Sequence, residues 1–378
     1  MLPSCILLYF MKIFPFLASN PDLSKVSSPE HFLKTVSKEY PIYKAKGIFS
    51  KMDEAAFYIH RVSGLNPYTG LIACSDITTI SDGEILGHEN TISVKEEAIT
   101  HLILTRRAMI KPILIAYEGH HDIDEFINQF VLKQVPIMEF HLDQPEELHQ
   151  IWKISNQKDI EIISWLFDKM VSRAYIADGH HRAVVTAQLL QKEISSGRED
   201  SDFLRLLCMF IPFSDLRIYD FARVVDYSKK LDGIAFLNKL KDYFEITPME
   251  NYSNPDKKHE LVLFLDDMRF HLTWKQHVIN APGASDLVLD VDLFNLYVLE
   301  SILGIKDIQN TELVTYIEGI APTKKLMETA FLTGKAVFKL FPLNPTDVIK
   351  TAEAGQVLPP KSTWFEPRVK NGLVIKEF

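Results

Sequence analysis

Between Arg173 and Leu190 a short apolar run stops at an Asp-Gly pair and resumes with helical spacing, and this joint constrains the fold more than any other stretch. Arg173-Ala174-Tyr175-Ile176-Ala177 is short, mostly apolar and closed by a turn signal, which is the pattern of a buried strand. Ala183, Val184, Ala187 and Leu190 then fall at i, i+1, i+4 and i+7, one apolar helical face. The pentapeptide Asp178-Gly179-His180-His181-Arg182 therefore sits where a strand hands over to a helix. A helix start presents unpaired N–H groups and the positive end of the macrodipole, so it suits an anion. Gly179 lets the backbone turn tightly and approach closely, and His180, His181 and Arg182 add donors. The competing account is simple capping by Asp178, a good N-cap residue.

Composition removes some function classes. The chain has 378 residues, with 50 acidic against 41 basic and a net charge of −9. With no block of lysine or arginine in that balance, a nucleic acid is not expected as the main partner. Cys5, Cys74 and Cys208 are far apart and odd in number, so neither a disulfide framework nor a thiolate metal site is expected, and a cytoplasmic location fits. Residues 1–10 are apolar but lack a basic flank and are too short to span a bilayer. No membrane partner is expected, and Met11 is read as an alternative start.

A chain of this length can bury a large core and form two domains. Apolar runs and breakers predict strands over 55–61, 69–74, 112–117 and 137–142, with helices over 93–107, 122–131 and 158–172. Residues 146–155 fit neither pattern clearly. A polar loop over 195–201 precedes an apolar strand over 203–212. In the second half, 261–265 and 270–275 flank Asp266-Asp267-Met268-Arg269 as a hairpin. Helices are expected over 287–303, 322–333 and 345–354, and a strand over 336–341. The alternation gives an α/β (mixed α+β) fold class with a boundary near 220, dividing the chain into 12–220 and 221–378.

Four other polar groups carry potential chemistry. His88-Glu89 follows Gly83 and Gly87, and a carboxylate beside an imidazole serves as a general base or meets a metal-bound phosphate, unless the pair is merely solvated. Arg106-Arg107 ends the helix predicted over 93–107, where it would meet a phosphate or simply complement the dipole. His120-His121 with Asp122 and Asp124, set beside His180-His181, raises a transition-metal site. Walker, dinucleotide-binding, zinc-protease and nucleophile-elbow patterns are absent from the sequence. Lys361-Ser362-Thr363-Trp364 joins a cation, two hydroxyls and an aromatic, read either as an anion-closing segment or as a surface turn.

Residues 175–182, His88-Glu89-Asn90-Thr91 followed by Arg106, and the segment 355–367 with the closing Gly372-Leu373-Val374-Ile375 together resemble the DUF1015 family, a domain of unknown function. Phe14-Pro15-Phe16 looks like that family's opening, whereas the region after Pro29 is shortened and lacks the family's Pro-Pro-Tyr-Asp segment. The Asp-Gly-His-His-Arg turn resembles the nucleotide-binding turn of the ParB and sulfiredoxin superfamily, which includes free-serine kinases. The resemblance implies a ParB/sulfiredoxin-like nucleotide-binding domain over 12–220 beside a mixed α/β C-terminal domain over 221–378. It further implies that Asp178, Gly179, His180, His181, Arg182 and Arg106 hold ATP or ADP with Mg²⁺. Glu89, beside His88, becomes the acid/base or metal-linked carboxylate, and no residue is assigned to a metal site of the protein alone. The leading expectation is a Mg-dependent phosphotransferase acting on a small, serine-like hydroxyl metabolite. The alternatives are a nucleotide-binding regulatory or partner-binding module without turnover, and a metal-dependent hydrolase built on His120, His121, His180 and His181. The oligomeric state stays open, a homodimer included.

Overall fold

The structure, a computed structural model, describes residues 11–89, 93–197, 205–281, 287–308 and 311–378. Asn90 and Thr91 of the expected motif, residues 198–201 of the polar loop and the first two positions of the strand expected over 203–212 lie outside the described residues. The chain is mixed α/β and divides into two compact units, one holding the residues up to Arg217 together with Pro367–Phe378, the other Ile218–Glu366.

The first unit is built on a nine-stranded sheet. Its order is Ile85–Leu86, Ala174–Asp178, Ile113–Tyr117, Arg205–Pro212, Tyr68–Asp76, Phe57–Gly64, Glu146–Ile154 and Met138–Asp143, with Ile13–Phe14 joined to Tyr68–Asp76. The central strands are covered on both faces, so Ile113–Tyr117 is buried throughout, and such strands read as continuous apolar runs rather than as alternation. Glu146–Ile154, which no sequence pattern assigned, is a full strand because partners flank it on both sides; its outer half is half-exposed and carries polar residues. The expected strands and helices are present with shifts of a few residues at their ends. The Pro29–Ala45 helix was not among the expected elements; Ser28 accepts from the His31 N–H to cap it, and Pro29 occupies its first turn.

The tail departs from the expected 221–378 domain. Ile375–Glu377 pairs antiparallel with both Ala18–Pro21 and Ala108–Met109, inserted as an inner strand of a four-stranded sheet in the first unit. Glu377 fixes its end, accepting from Tyr40 Oη at 2.6 Å, Lys44 Nζ at 2.6 Å and Ser19 Oγ at 3.1 Å. Tail closure is a non-local pairing, which composition shifts along the chain cannot reveal.

In the second unit a six-stranded sheet runs Phe244–Pro248, Met268–Trp274, Glu260–Leu265, Ala336–Leu340, Ala222–Val225 and Val314–Ile317, with the expected hairpin at its heart. Glu260–Leu265 is buried on both faces: Leu261, Leu263 and Leu265 join one core, Val262 and Phe264 the other. The helix expected over 287–303 is a short α-helical turn, Asp290–Leu293, running into a π-helix over Phe294–Ile302. The wider turn suits its buried positions Phe294, Val298 and Leu299.

Candidate functional site

Strand direction assembles the site. Ile85–Leu86 runs parallel to Ala174–Asp178, with Ala174 opposite Ile85 and Tyr175 opposite Leu86. The chain leaving Leu86 therefore travels the same way as the chain leaving Asp178, which brings Gly87, His88 and Glu89 beside the motif turn. Ile113–Tyr117 is antiparallel to the motif strand, with Asp178 opposite Leu114 after a bulge, so Lys111 and Pro112 lie at the same end. Gly179 makes the turn at φ +106°, and the helix His180–Ser195 follows. Ala183 is buried as its spacing predicts, but Val184 and Ala187 are only half-buried, and Val185 and Thr186 fill the inward face instead.

Asp178 is the hub. Its carboxylate accepts from Lys111 Nζ at 3.0 Å, Arg182 Nη2 at 2.9 Å and Arg368 Nη1 at 2.7 Å. Burial would favour the protonated acid, but Arg182, Lys111 and Arg368 outweigh it and hold the Asp178 carboxyl well below the usual carboxylate range. Three cations on one carboxylate leave a local surplus of positive charge. Arg182 is the most committed of the three, because its Nη1 also donates to the backbone carbonyls of Lys111, 2.8 Å, and Pro112, 2.7 Å. The cradle expected from sequence is thus rearranged: Arg182 ties the turn to the neighbouring strand, and Lys111 and Arg368 carry much of the local cationic charge. Burial, followed by the Arg182 charge, lowers the Lys111 ammonium pKa.

His180 faces inward, 5 % exposed, and burial favours its neutral ring. Its Nε2 accepts the backbone N–H of His88 at 3.2 Å, which places the ring proton on Nδ1, 3.6 Å from Glu89 Oε2. His88 is fully buried and meets the His180 ring edge-on, centroids 4.6 Å apart at 83°. Burial pushes His88 down to about 4, and burial, reinforced by His88, pushes His180 well below its ordinary value. Glu89 is the more accessible of the three, its side chain 27 % exposed. A partly exposed carboxylate 3.6 Å from an imidazole nitrogen is a candidate to take a proton.

These depressed imidazoles fix a pH dependence. Below pH 6.5 the unfolded chain binds protons that folded His88 and His180 refuse, so stability falls as pH drops from 6.5 toward 4. Each such group contributes a slope of about 1.4 kcal/mol per pH unit within that window. Urea unfolding at pH 6.5, 5.75 and 5 will show this loss, and His88→Gln will reduce the slope by about one proton's worth. An unchanged slope in that variant would remove His88 from the account.

The remaining candidates lie elsewhere or have other roles. Arg106 donates to Ser37 Oγ on the Pro29–Ala45 helix at 3.5 Å. His181 is half-buried in the first turn of the motif helix. His120 caps the His121–Lys133 helix by accepting from the Asp122 N–H at 3.3 Å. Among the described residues no group of three His, Cys, Asp or Glu side chains is placed to hold a metal ion. Lys361 lies over the Phe221 ring at 4.8 Å, within the second unit. Sequence reasoning missed Lys111 and Arg368. Arg368 follows directly on the 355–367 family segment, which is the one signal that could have drawn attention to it.

A family model described as "Protein of unknown function (DUF1015)" matches residues 18–293. The chain belongs to this family. The match takes in His88, Glu89, Lys111 and the motif turn of the DUF1015 chain and stops short of the tail that supplies Arg368. No curated protein matches the sequence. Among solved structures, SbnI with C-terminal truncation from Staphylococcus aureus is similar at 13 % identity and TM-score 0.43, covering 79 % of this chain and 85 % of that one. Free serine kinase in complex with AMP is similar at 15 % identity and TM-score 0.38, covering 79 % and 91 %. Both likenesses are distant. Among the described residues, no helix is long and apolar enough to cross a membrane.

Proposed function

We propose that this protein binds the phosphates of ATP or ADP at the Asp178 turn and transfers a phosphoryl group to a small, serine-like hydroxyl metabolite. The observation that carries the reading is the cationic surplus of Lys111, Arg182 and Arg368 around Asp178, set at a helix start beside the Glu89–His180 pair. Lys111 and Arg368 offset phosphate charge, and Arg182 with Gly179 keeps the turn in shape. Glu89 takes the proton of the acceptor hydroxyl, its carboxylate aligned by Nδ1–H of His180. Mg²⁺ would need no protein cage here, because it keeps several waters and binds largely through substrate phosphates, which leaves Glu89 free as the base. Bound there, it would neutralise charge developing on the phosphates.

Glu89→Gln separates binding from chemistry. The variant is expected to bind ATP within about threefold of wild type while ADP formation with free serine, or with the acceptor found in a hydroxyl-metabolite panel, falls at least ~100-fold. Retained turnover in Glu89→Gln removes the assigned base. Nucleotide binding by wild type with no transfer to any acceptor would favour the regulatory module over the phosphotransferase.

A further inference from the structure

Arg368 is brought to Asp178 from 190 residues further along the chain, and a dedicated set of polar contacts holds the segment that carries it. Two residues on, Lys370 Nζ meets Glu147 Oε2 at 2.9 Å. Glu147 Oε2 also accepts from His149 Nε2 at 3.1 Å, and His149 Nδ1 lies 3.0 Å from His60 Nε2. His149 is 0 % exposed and His60 1 %. One proton arrangement satisfies the whole chain with both rings neutral: Nε2–H of His60 donates to Nδ1 of His149, and Nε2–H of His149 donates to Glu147. Phe140 stacks on His149 at 4.8 Å and 5°, and Tyr68 meets His60 edge-on at 5.6 Å, so neither imidazole is free to turn. Glu147 is therefore an acceptor fixed from behind by two buried rings. On the far side, Gly372 N–H donates to the Ile110 carbonyl at 2.9 Å and Asn20 Nδ2 to the Leu373 carbonyl at 2.9 Å.

We propose that Lys370 and Glu147 are positioning residues for the anion site: their ion pair, backed by His149 and His60, holds the tail segment so that Arg368 reaches Asp178. This rests on the phosphate-binding reading above. The pair is mostly sheltered, its side chains 25 % and 13 % exposed, so desolvation offsets much of its attraction. It has a different consequence here, because it sets where a second cation, two residues away, is presented.

The test is a double-mutant cycle read by calorimetric titration of ATP with Mg²⁺ into the full chain, with thermal midpoints recorded in parallel. Arg368→Met is expected to weaken binding about tenfold, the effect of losing one charge-assisted contact. Lys370→Met is expected to weaken it severalfold and to lower the midpoint modestly, and Lys370→Arg to restore both. The combination of Arg368→Met with Lys370→Met is expected to bind no more weakly than Arg368→Met alone, since Lys370 acts through Arg368. Additive losses overturn the proposal, because Lys370 would then act on the ligand directly. Unchanged affinity in Lys370→Met, or in Glu147→Gln should the lysine variant be unstable, overturns it too. If wild type binds no ATP, or if Arg368→Met binds as wild type does, the phosphate reading itself fails, which is a separate result.

Discussion

Asp178→Asn is expected to lower the unfolding free energy by about 3 kcal/mol in chloride buffer and to make the protein unusually responsive to phosphate. The substitution keeps the shape of the side chain and removes the negative charge that Lys111, Arg182 and Arg368 meet. The asparagine amide also turns donors toward donors. Breaking a sheltered ion cluster by removing one partner costs more than the cluster contributes, because the remaining charges stay desolvated and repel one another. An external anion can replace part of what was lost. Urea unfolding in matched chloride and phosphate buffers should therefore show phosphate stabilising Asp178→Asn by more than it stabilises wild type, as expected when an anion binds the native state in preference to the unfolded chain. A loss below about 1 kcal/mol, or equal phosphate effects on both proteins, would contradict the hub role of Asp178.

Gly179→Ala carries the second large effect, again about 3 kcal/mol, together with loss of nucleotide binding. Two causes add. The residue sits at φ +106°, which side-chain-bearing residues rarely adopt. A Cβ there would also stand 2.7 Å from Arg182 Nη2 and 2.9 Å from its Cζ. A guanidinium at the end of a flexible chain would ordinarily move aside. Here it is pinned by the carbonyls of Lys111 and Pro112 and by Asp178, so retreat breaks three bonds. Gly197→Ala is the matched control, since Gly197 has φ +83° and no atom within 4 Å of a built Cβ. It should cost only about 1 kcal/mol and leave binding intact. Equal losses at the two glycines would show that backbone strain alone, and not the Arg182 clamp, explains Gly179.

The joint at Asp178 was legible because its signals are local: a short apolar run, an Asp-Gly turn and helical spacing after it. The pairing of His88-Glu89 with that turn was legible as a motif association, and parallel strands at Ile85–Leu86 and Ala174–Asp178 supply its physical cause. The inward face of His180 was half-legible. Adjacent helical residues point about 100° apart, so one histidine had to turn from the other, but only packing decides which. Lys111 and Arg368 were not legible, since they lie 67 and 190 residues from Asp178 and no local pattern marks either. Strand order brings the first and the returning tail brings the second, and both are properties of tertiary pairing. The same return moves Pro367–Phe378 out of the expected second domain.

The most direct test is a calorimetric titration of ATP with Mg²⁺ into wild type and Lys111→Met at two salt concentrations. Lys111 meets Asp178 through its side-chain ammonium, whereas Arg182 also clamps two backbone carbonyls, so removing the lysine probes charge with less disturbance to the turn. One saturable site in wild type, weakened by added salt and at least about tenfold weaker in Lys111→Met, is the predicted result. No binding by wild type, or equal affinity in the two proteins, would contradict the assignment of the Asp178 turn as a site for nucleotide phosphates.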